Sequence, residues 1–298
     1  MTDSMICTSD LTKTYSSRSG DVCAVRDLDL DIADGELVAL LGPNGAGKST
    51  TLRMLTTLLP PSSGTAYVAG HDVRRDPSEV RRNIGYVGQG NGAAHIQRGR
   101  DELLGQGRAY GMSRADTRRR AELLIDGLDL SSFVDRKAQE MSGGQRRRLD
   151  IALGMIHAPR LLFLDEPSTG LDPQNRANLQ EQISLLHEAH QTTIVLTTHY
   201  LDEADALAQR VVVIDQGVVI ADDKPDVLKR RIGDSVALRF ADGRTLTERH
   251  PNGGEYAAKT VAEAVHTSNP AVSVKVVPAS LDDVFLDLTG RSLREDAA

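Results

Sequence analysis

Gly42-Pro43-Asn44-Gly45-Ala46-Gly47-Lys48-Ser49-Thr50 is the stretch on which the reading of this chain turns. It fits the pattern G-x4-G-K-S/T, follows the short apolar run Leu37 to Leu41 and precedes a helical pattern from Thr51 to Leu58. Strand, loop and helix in that order give the pattern its chemistry. Glycines let successive backbone N–H groups turn inward around phosphate oxygens, and the positive end of the following helix points at them. Lys48 then reaches the β- and γ-phosphates, and Ser49 offers its hydroxyl to Mg²⁺, an ion that prefers octahedral oxygen ligands. A chance glycine-rich turn is the competing reading, and the strand before it and helix after it argue against that.

Working outward, Leu161 to Leu164, Ile194 to Leu196 and Val211 to Ile214 are also short continuous apolar runs. Such runs predict parallel strands covered on both faces. Leu28 to Ile32 instead alternates apolar with acidic residues, the period-two pattern of a half-exposed strand in an antiparallel edge sheet. Helical patterns separate the strands. Asp172 caps and Pro173 opens a crossover helix reaching His190, with Leu179, Ile183 and Leu186 on one face. Leu149, Ala152, Leu153 and Ile156 follow Ser142-Gly143-Gly144 at helical spacing, which places a helix start at or near the glycines. Gln216-Gly217 turns the chain before Val218-Val219-Ile220, and the core pattern ends near Arg231.

These patterns predict an α/β chain: a phosphate-loop NTPase core with a mixed sheet, an antiparallel β subdomain, a helical subdomain at about residues 95-157 and a small C-terminal α+β extension. The nucleotide-binding domain is expected over 5-232 and an accessory or dimerisation domain over 235-298. In that second part a short strand, an Asp242-Gly243 turn and a helix near Ala257 to His266 precede alternation from Val272 to Val276. A last helix, capped by Ser280, has Leu281, Val284, Phe285 and Leu288 on one face.

Leu161-Leu162-Phe163-Leu164-Asp165-Glu166 is a buried strand ending in two carboxylates. Consecutive strand residues point to opposite sides, so the two take different tasks. Asp165 is expected to hold Mg²⁺, directly or through water, and Glu166 to act as general base on the attacking water. Asp-Glu-Pro is also common strand-end punctuation; the glycine loop upstream favours the chemical reading.

Composition narrows the function. With 35 basic and 42 acidic residues among 298, the net charge of −7 argues against a nucleic-acid binder relying on phosphate neutralisation. Cys7 and Cys23 are too few for a disulfide framework and have no metal spacing, which suits a reducing cytosol. The N-terminus lacks the features of a signal peptide, and no apolar run approaches the roughly 18 residues of a membrane span. A soluble protein is therefore expected, with any membrane role borrowed from a partner.

A third motif, Met141-Ser142-Gly143-Gly144-Gln145, adds a second helix N-terminus suited to an anion. With it the chain resembles the ATP-binding cassette family, whose pattern is LSGGQ; Met141 departs from it by a swap between apolar residues of similar volume. The resemblance covers roughly residues 5 to 230 and implies that the signature closes on nucleotide held by another subunit. A head-to-tail homodimer with two ATP molecules sandwiched between phosphate loops and signatures follows.

The resemblance also assigns roles to residues that say little alone. Tyr15, in Lys13-Thr14-Tyr15, matches the aromatic residue stacked on adenine. Gln89, after Tyr86-Val87-Gly88, matches the glutamine joining Mg²⁺ and water to the transporter contact surface. His199, in Thr197-Thr198-His199, matches the switch histidine on the γ-phosphate, and Ser168-Thr169-Gly170-Leu171-Asp172 matches the loop crossing the dimer interface. Asp172 would then be both helix cap and interface residue.

The tail from Pro278 to Gly290 is similar to the end of daunorubicin-resistance-type export ATPases, although it also reads as a plain amphipathic helix. What the resemblance implies is an ATP- and Mg²⁺-dependent ATPase at the cytoplasmic face of the membrane, powering export of a drug or antibiotic through a separate permease. Import, or a soluble nucleotide switch acting on ribosomes or DNA, are the alternatives. The cargo is not legible, because specificity resides in the permease. Gly90 to His95 departs from many relatives where the permease is expected to dock, and Arg146-Arg147-Arg148 reads as a solvated helix face rather than a nucleic-acid contact.

Overall fold

Period-two patterning opens the chain as antiparallel sheet. In the computed structural model, which describes residues 4–17, 20–90, 92, 96–265 and 269–291, strands β1 (Ser4–Ser17) and β2 (Gly20–Ala33) pair antiparallel. Leu28, Leu30 and Ile32 are buried while Asp29 and Asp31 face outward, as the alternation requires. The all-buried β3 (Leu37–Leu41) starts a different sheet and leads through the glycine loop into α1 (Lys48–Leu55). Strands β4 (Ser63–Val68) and β5 (His71–Asp72) complete the first sheet in the order β2-β1-β4-β5.

The chain continues through α2 (Pro77–Asn83), β6 (Ile84–Val87), α3 (Gly99–Ala109), α4 (Arg114–Gly127) and α5 (Gly143–Met155). It then alternates β7 (Leu161–Asp165), α6 (Pro173–His190), β8 (Thr193–Thr198), α7 (Leu201–Leu207), β9 (Arg210–Asp215) and β10 (Val218–Asp223). The second sheet runs β10-β9-β3-β8-β7-β6, with β9, β3, β8, β7 and β6 parallel to one another. This order sets the carboxyl ends of β3, β8 and β7 side by side, where open α/β sheets place ligands. Val38 and Leu40, Leu52 of α1, Phe163 of β7 and Leu28 and Ile32 of β2 share one core, so α1 and its loop rest on both sheets. Each such buried side chain contributes about 1.5–3 kcal/mol.

One sequence expectation fails in the helical stretch. Arg147 is 8% exposed, and its guanidinium donates to Gly88 O (2.6 Å), Pro167 O (2.9 Å) and Asp165 O (3.0 Å). Arg148 alone of the run reaches an acidic side chain at the surface, Asp129 at 3.2 Å. The three arginines cannot share a solvated face because helical neighbours are 100° apart, and α5 is buried over most of its circumference. The expected permease contact at Gly90 to His95 falls mostly outside the described residues.

The chain divides into two compact units, Met1–Asp222 and Asp223–Ala298. The second contains α8 (Pro225–Ile232), β11 (Asp234–Phe240), β12 (Thr245–His250), α9 (Gly253–Val265), β13 (Ala271–Val277) and α10 (Leu281–Thr289). Its sheet is antiparallel in the order β12-β11-β13, and Ala257 and Ala264 of α9 pack on Val236, Leu238 and Phe240. Helix α9 starts earlier than the sequence suggested, at Gly253, and the expected end at His266 lies outside the described residues.

Ser280 caps α10 by accepting from the Asp283 N–H, while the Asp283 carboxylate accepts from the Ser280 N–H. Leu281, Val284 and Phe285 are buried, but Leu288 is 42% exposed, so the expected four-residue face shortens to three. Helix α8 packs on α10, and Leu288 falls in the final turn of α10, near the C-cap Gly290. Among the described residues no helix is long and apolar enough to cross a membrane.

Candidate functional site

The glycine loop is shaped by what surrounds it. A Cβ on Gly42 would lie 2.1 Å from the Ile214 carbonyl oxygen, and one on Gly47, whose φ is 106°, would lie 2.4 Å from that of Ala24. Only glycine fits at either point. Ala24, Asn44, Gly45, Ala46, Gly47, Lys48, Ser49, Thr50, Gln89 and Glu166 line a cavity of about 170 Å³ over the start of α1. Gly47 caps α1 without a side chain, which leaves first-turn N–H groups available to a ligand.

Lys48 is buried and donates to Gly42 O (2.6 Å) and Pro43 O (2.9 Å), while its ammonium lies 3.9 Å from Glu166 Oε1. Burial lowers its pKa below the usual lysine value; Glu166 and Asp165 oppose that by favouring the charge. Ser49 Oγ donates to Asp165 Oδ1 at 2.8 Å, and Gln89 Nε2 donates to Ser49 Oγ at 3.2 Å. Thr197, at the end of β8, donates to the same Asp165 oxygen at 2.7 Å.

Hydroxyl, carboxylate and side-chain amide are the oxygen donors that a hard divalent ion such as Mg²⁺ takes. No group of three His, Cys, Asp or Glu suited to a metal occurs among the described residues, so an ion here would need phosphate or water oxygens as well. That combination fits a nucleotide-bound Mg²⁺.

Asp165 and Glu166 diverge for a reason beyond strand pleating. Strand β7 ends at Asp165, and Glu166 turns out of it in a left-handed conformation with φ 47°. Its N–H donates to Thr197 Oγ1 (2.9 Å) and O (3.2 Å), which holds that uncommon conformation in place. Glu166 Oε2 accepts from Thr169 Oγ1 at 3.1 Å and lies 3.5 Å from His199 Nδ1, too long for a well-formed hydrogen bond. The neighbouring His199 first, and Lys48 and Thr169 with it, hold the Glu166 carboxyl below the usual glutamate range against the opposing effect of burial. It is therefore ionised at neutral pH.

The structure thus brings Lys48, Ser49, Gln89, Asp165, Glu166 and His199 together around the loop. Tyr15 and Ser142 to Gln145 do not line the cavity. Tyr15 is 39% exposed on β1, with Lys13 Nζ 5.4 Å from its ring centre. Ser142 and Gly143 are exposed at the tip of α5, where Ser142 Oγ accepts from Gln145 N–H (3.3 Å) and Gln145 Oε1 accepts from Ser142 N–H (3.0 Å). Gly144 is packed so that a Cβ would lie 2.8 Å from Asn175 Oδ1. Asn175 in turn donates its N–H to Asp172, the cap of α6, at 3.0 Å.

Sequence reasoning missed three residues here: Thr197, Arg147 and Glu203. Glu203 is fully buried, and burial raises its carboxyl pKa while Thr198, Ser168 and Arg176 oppose. Thr197 carries no motif signal of its own beside His199. Its place at the end of a buried strand beside the one ending in Asp165 was the available signal.

The model of the ABC transporter family matches residues 25–169. A daunorubicin/doxorubicin resistance ATP-binding protein from Streptomyces peucetius is 43% identical over 307 residues, taking in 95% of this chain and 92% of that protein. The chain belongs to the ABC transporter family as an ATP-binding subunit, an ATPase that couples ATP hydrolysis to transport.

Its likenesses extend to a Nod factor export ATP-binding protein I from Cupriavidus metallidurans, 38% identical over 93% of this chain and 95% of that one. A solved dimeric ATP-binding cassette in a post-hydrolysis state, bound to ADP and Pi, has a TM-score of 0.67 and 27% identity, covering 74% of this chain and 98% of the other. The expected family and fold class are borne out.

Proposed function

We propose that this chain is the motor of an exporter: two copies clamp two ATP molecules with Mg²⁺, and their cycle drives a separate membrane permease that expels a drug or antibiotic. The observation that carries this reading is the contrast between a gathered set, Lys48 to Glu166 and His199, and a signature tip that faces solvent away from its own chain's cavity lining. Resistance and export in the names of the two relatives support the direction, and the dimeric neighbour supports pairing. Neither alternative, import or a soluble switch, has an observation of this kind in its favour.

In this reading, loop N–H groups from Asn44 to Thr50 and the Lys48 ammonium hold the phosphates, and Tyr15 stacks on adenine. Ser49, Asp165 and Gln89 hold Mg²⁺, which supplies positive charge to the phosphate oxygens. Glu166 accepts a proton from water as its oxygen bonds to the γ-phosphorus and the bond to the ADP oxygen breaks. His199 hydrogen-bonds the γ-phosphate beside it. Ser142, Gly143, Gly144 and Gln145 of the second copy cover the nucleotide from the other side, and the loop from Ser168 to Asp172 lies at the interface. The nucleotide-binding domain is the unit ending at Asp222, which leaves α8 out of the expected 5-232 span, and the unit from Asp223 onward is an accessory domain that supports assembly or regulation. The chain sits peripherally on the cytoplasmic face, held there by the permease.

Glu166→Gln tests the core of this reading. Turnover should fall at least about 100-fold, ATP should still bind, and size-exclusion chromatography with ATP should show an accumulated dimer. Normal hydrolysis would remove Glu166 as the base, and a monomer that binds ATP but never pairs would overturn the sandwich.

A further inference from the structure

We propose that Arg147 is a positioning residue for hydrolysis: from the signature helix it fixes, through main-chain carbonyls, the segments that carry Gln89, Asp165 and Glu166. Its guanidinium donates to three carbonyl oxygens, and each belongs to or adjoins a site residue. Gly88, at 2.6 Å, immediately precedes Gln89. Asp165, at 3.0 Å, is the carboxylate that accepts from Ser49, and Pro167, at 2.9 Å, immediately follows Glu166. A planar fork of fixed geometry can hold three carbonyls at set separations, which a flexible ammonium cannot.

Position on the helix adds to this. Arg147 lies about one and a half turns beyond Ser142, on α5, so the element that presents the signature is bonded to its own chain's metal-and-water side. Burial disfavours its charge, and the acidic groups Asp150, Asp165 and Glu203 around it act in the opposite sense. The phosphate loop receives none of these three hydrogen bonds. Loss of the fork should therefore leave phosphate binding intact while loosening the backbone under Gln89, Asp165 and Glu166. Misplacement by about 1 Å is enough to cost on the order of 100-fold in rate.

The inference rests on the reading that those three residues serve the metal and the water, and the experiment separates the two. In the purified full chain, Arg147→Met, Arg147→Lys, Asp165→Asn and, as a control on the same helix, Arg148→Gln are compared for ATP affinity, kcat and the Mg²⁺ concentration giving half-maximal turnover. Arg147→Met should lower kcat about 100-fold and raise the Mg²⁺ requirement several-fold, with ATP affinity within about twofold of wild type. Arg147→Lys should recover part of kcat, and Arg148→Gln should match wild type.

A folded Arg147→Met with wild-type kcat and Mg²⁺ requirement overturns the proposal, as does a loss of ATP affinity as large as the loss of kcat. If the Met variant does not fold, wild-type turnover and Mg²⁺ requirement in Arg147→Lys overturn it instead. Wild-type turnover in Asp165→Asn would show that the underlying site reading had failed; wild-type turnover confined to the Arg147 variants would show that only this inference had.

Discussion

Two helix tips in this chain, those of α1 and α5, differ in what finishes them. At α1 the cap is Gly47, which has no side chain to offer, and the buried Lys48 ammonium stands over the cavity that the loop lines. At α5 the cap is Ser142, which forms a reciprocal pair with Gln145, and Ser142 and Gly143 face solvent. The first tip leaves its orphan N–H groups to a ligand and supplies the cation itself. The second satisfies part of its own backbone and does not line the cavity of its own chain's glycine loop. In the proposed reading one chain carries a complete phosphate cradle and half of another, which is why the proposed unit of function is a pair.

The first tip carries the largest expected effect. Lys48→Ala should lower turnover by about 100- to 1,000-fold, the usual cost of removing a group aimed at charge in the transition state. A steady-state ATPase assay checks it, and retention of wild-type turnover would end the phosphate-loop assignment. A smaller effect is expected at the second tip. Ser142→Ala removes a cap worth about 1 kcal/mol, read by chemical unfolding. Turnover should fall roughly tenfold for one lost charge-assisted hydrogen bond, while nucleotide affinity of the single chain stays unchanged. An equal loss of single-chain affinity would mean that both tips serve one site, and the contrast would collapse. Smallest of all is Met141→Leu. Met141 is 4% exposed beneath the α5 tip, so this volume-conserving swap should change stability by less than about 1.5 kcal/mol. Turnover should be unaltered; a marked change would make Met141 more than a packing residue.

The same contrast runs through what could be read in advance. The continuous apolar runs at Leu37, Leu161 and Ile194 announced parallel strands because a strand covered on both faces tolerates little else. Asp172, Ser142 and Ser280 announced helix starts because capping is local: each accepts from an N–H three residues on. Arg147 was misread because charge predicts exposure only where water is available. On a helix buried almost all round, three main-chain carbonyls take the place of water. Its signal was its spacing, three residues from the packed Gly144 and from the buried Asp150. Leu288 was misread in the opposite sense, since apolar spacing says which face a residue occupies but not whether another element covers it there.

By itself, the amino-acid sequence determined the local elements, the glycine loop, the two capped tips and the order of the motifs. All of these depend on backbone conformation and on contacts within a few residues. Only the tertiary structure decided which strand ends meet and that Thr197 bridges Asp165 and Glu166. It also decided that Glu166 leaves its strand in a left-handed turn and that a charged fork from α5 ties Gly88 to Pro167. Those contacts join residues tens of positions apart, and sheet order sets their distances, which spacing along the chain does not encode.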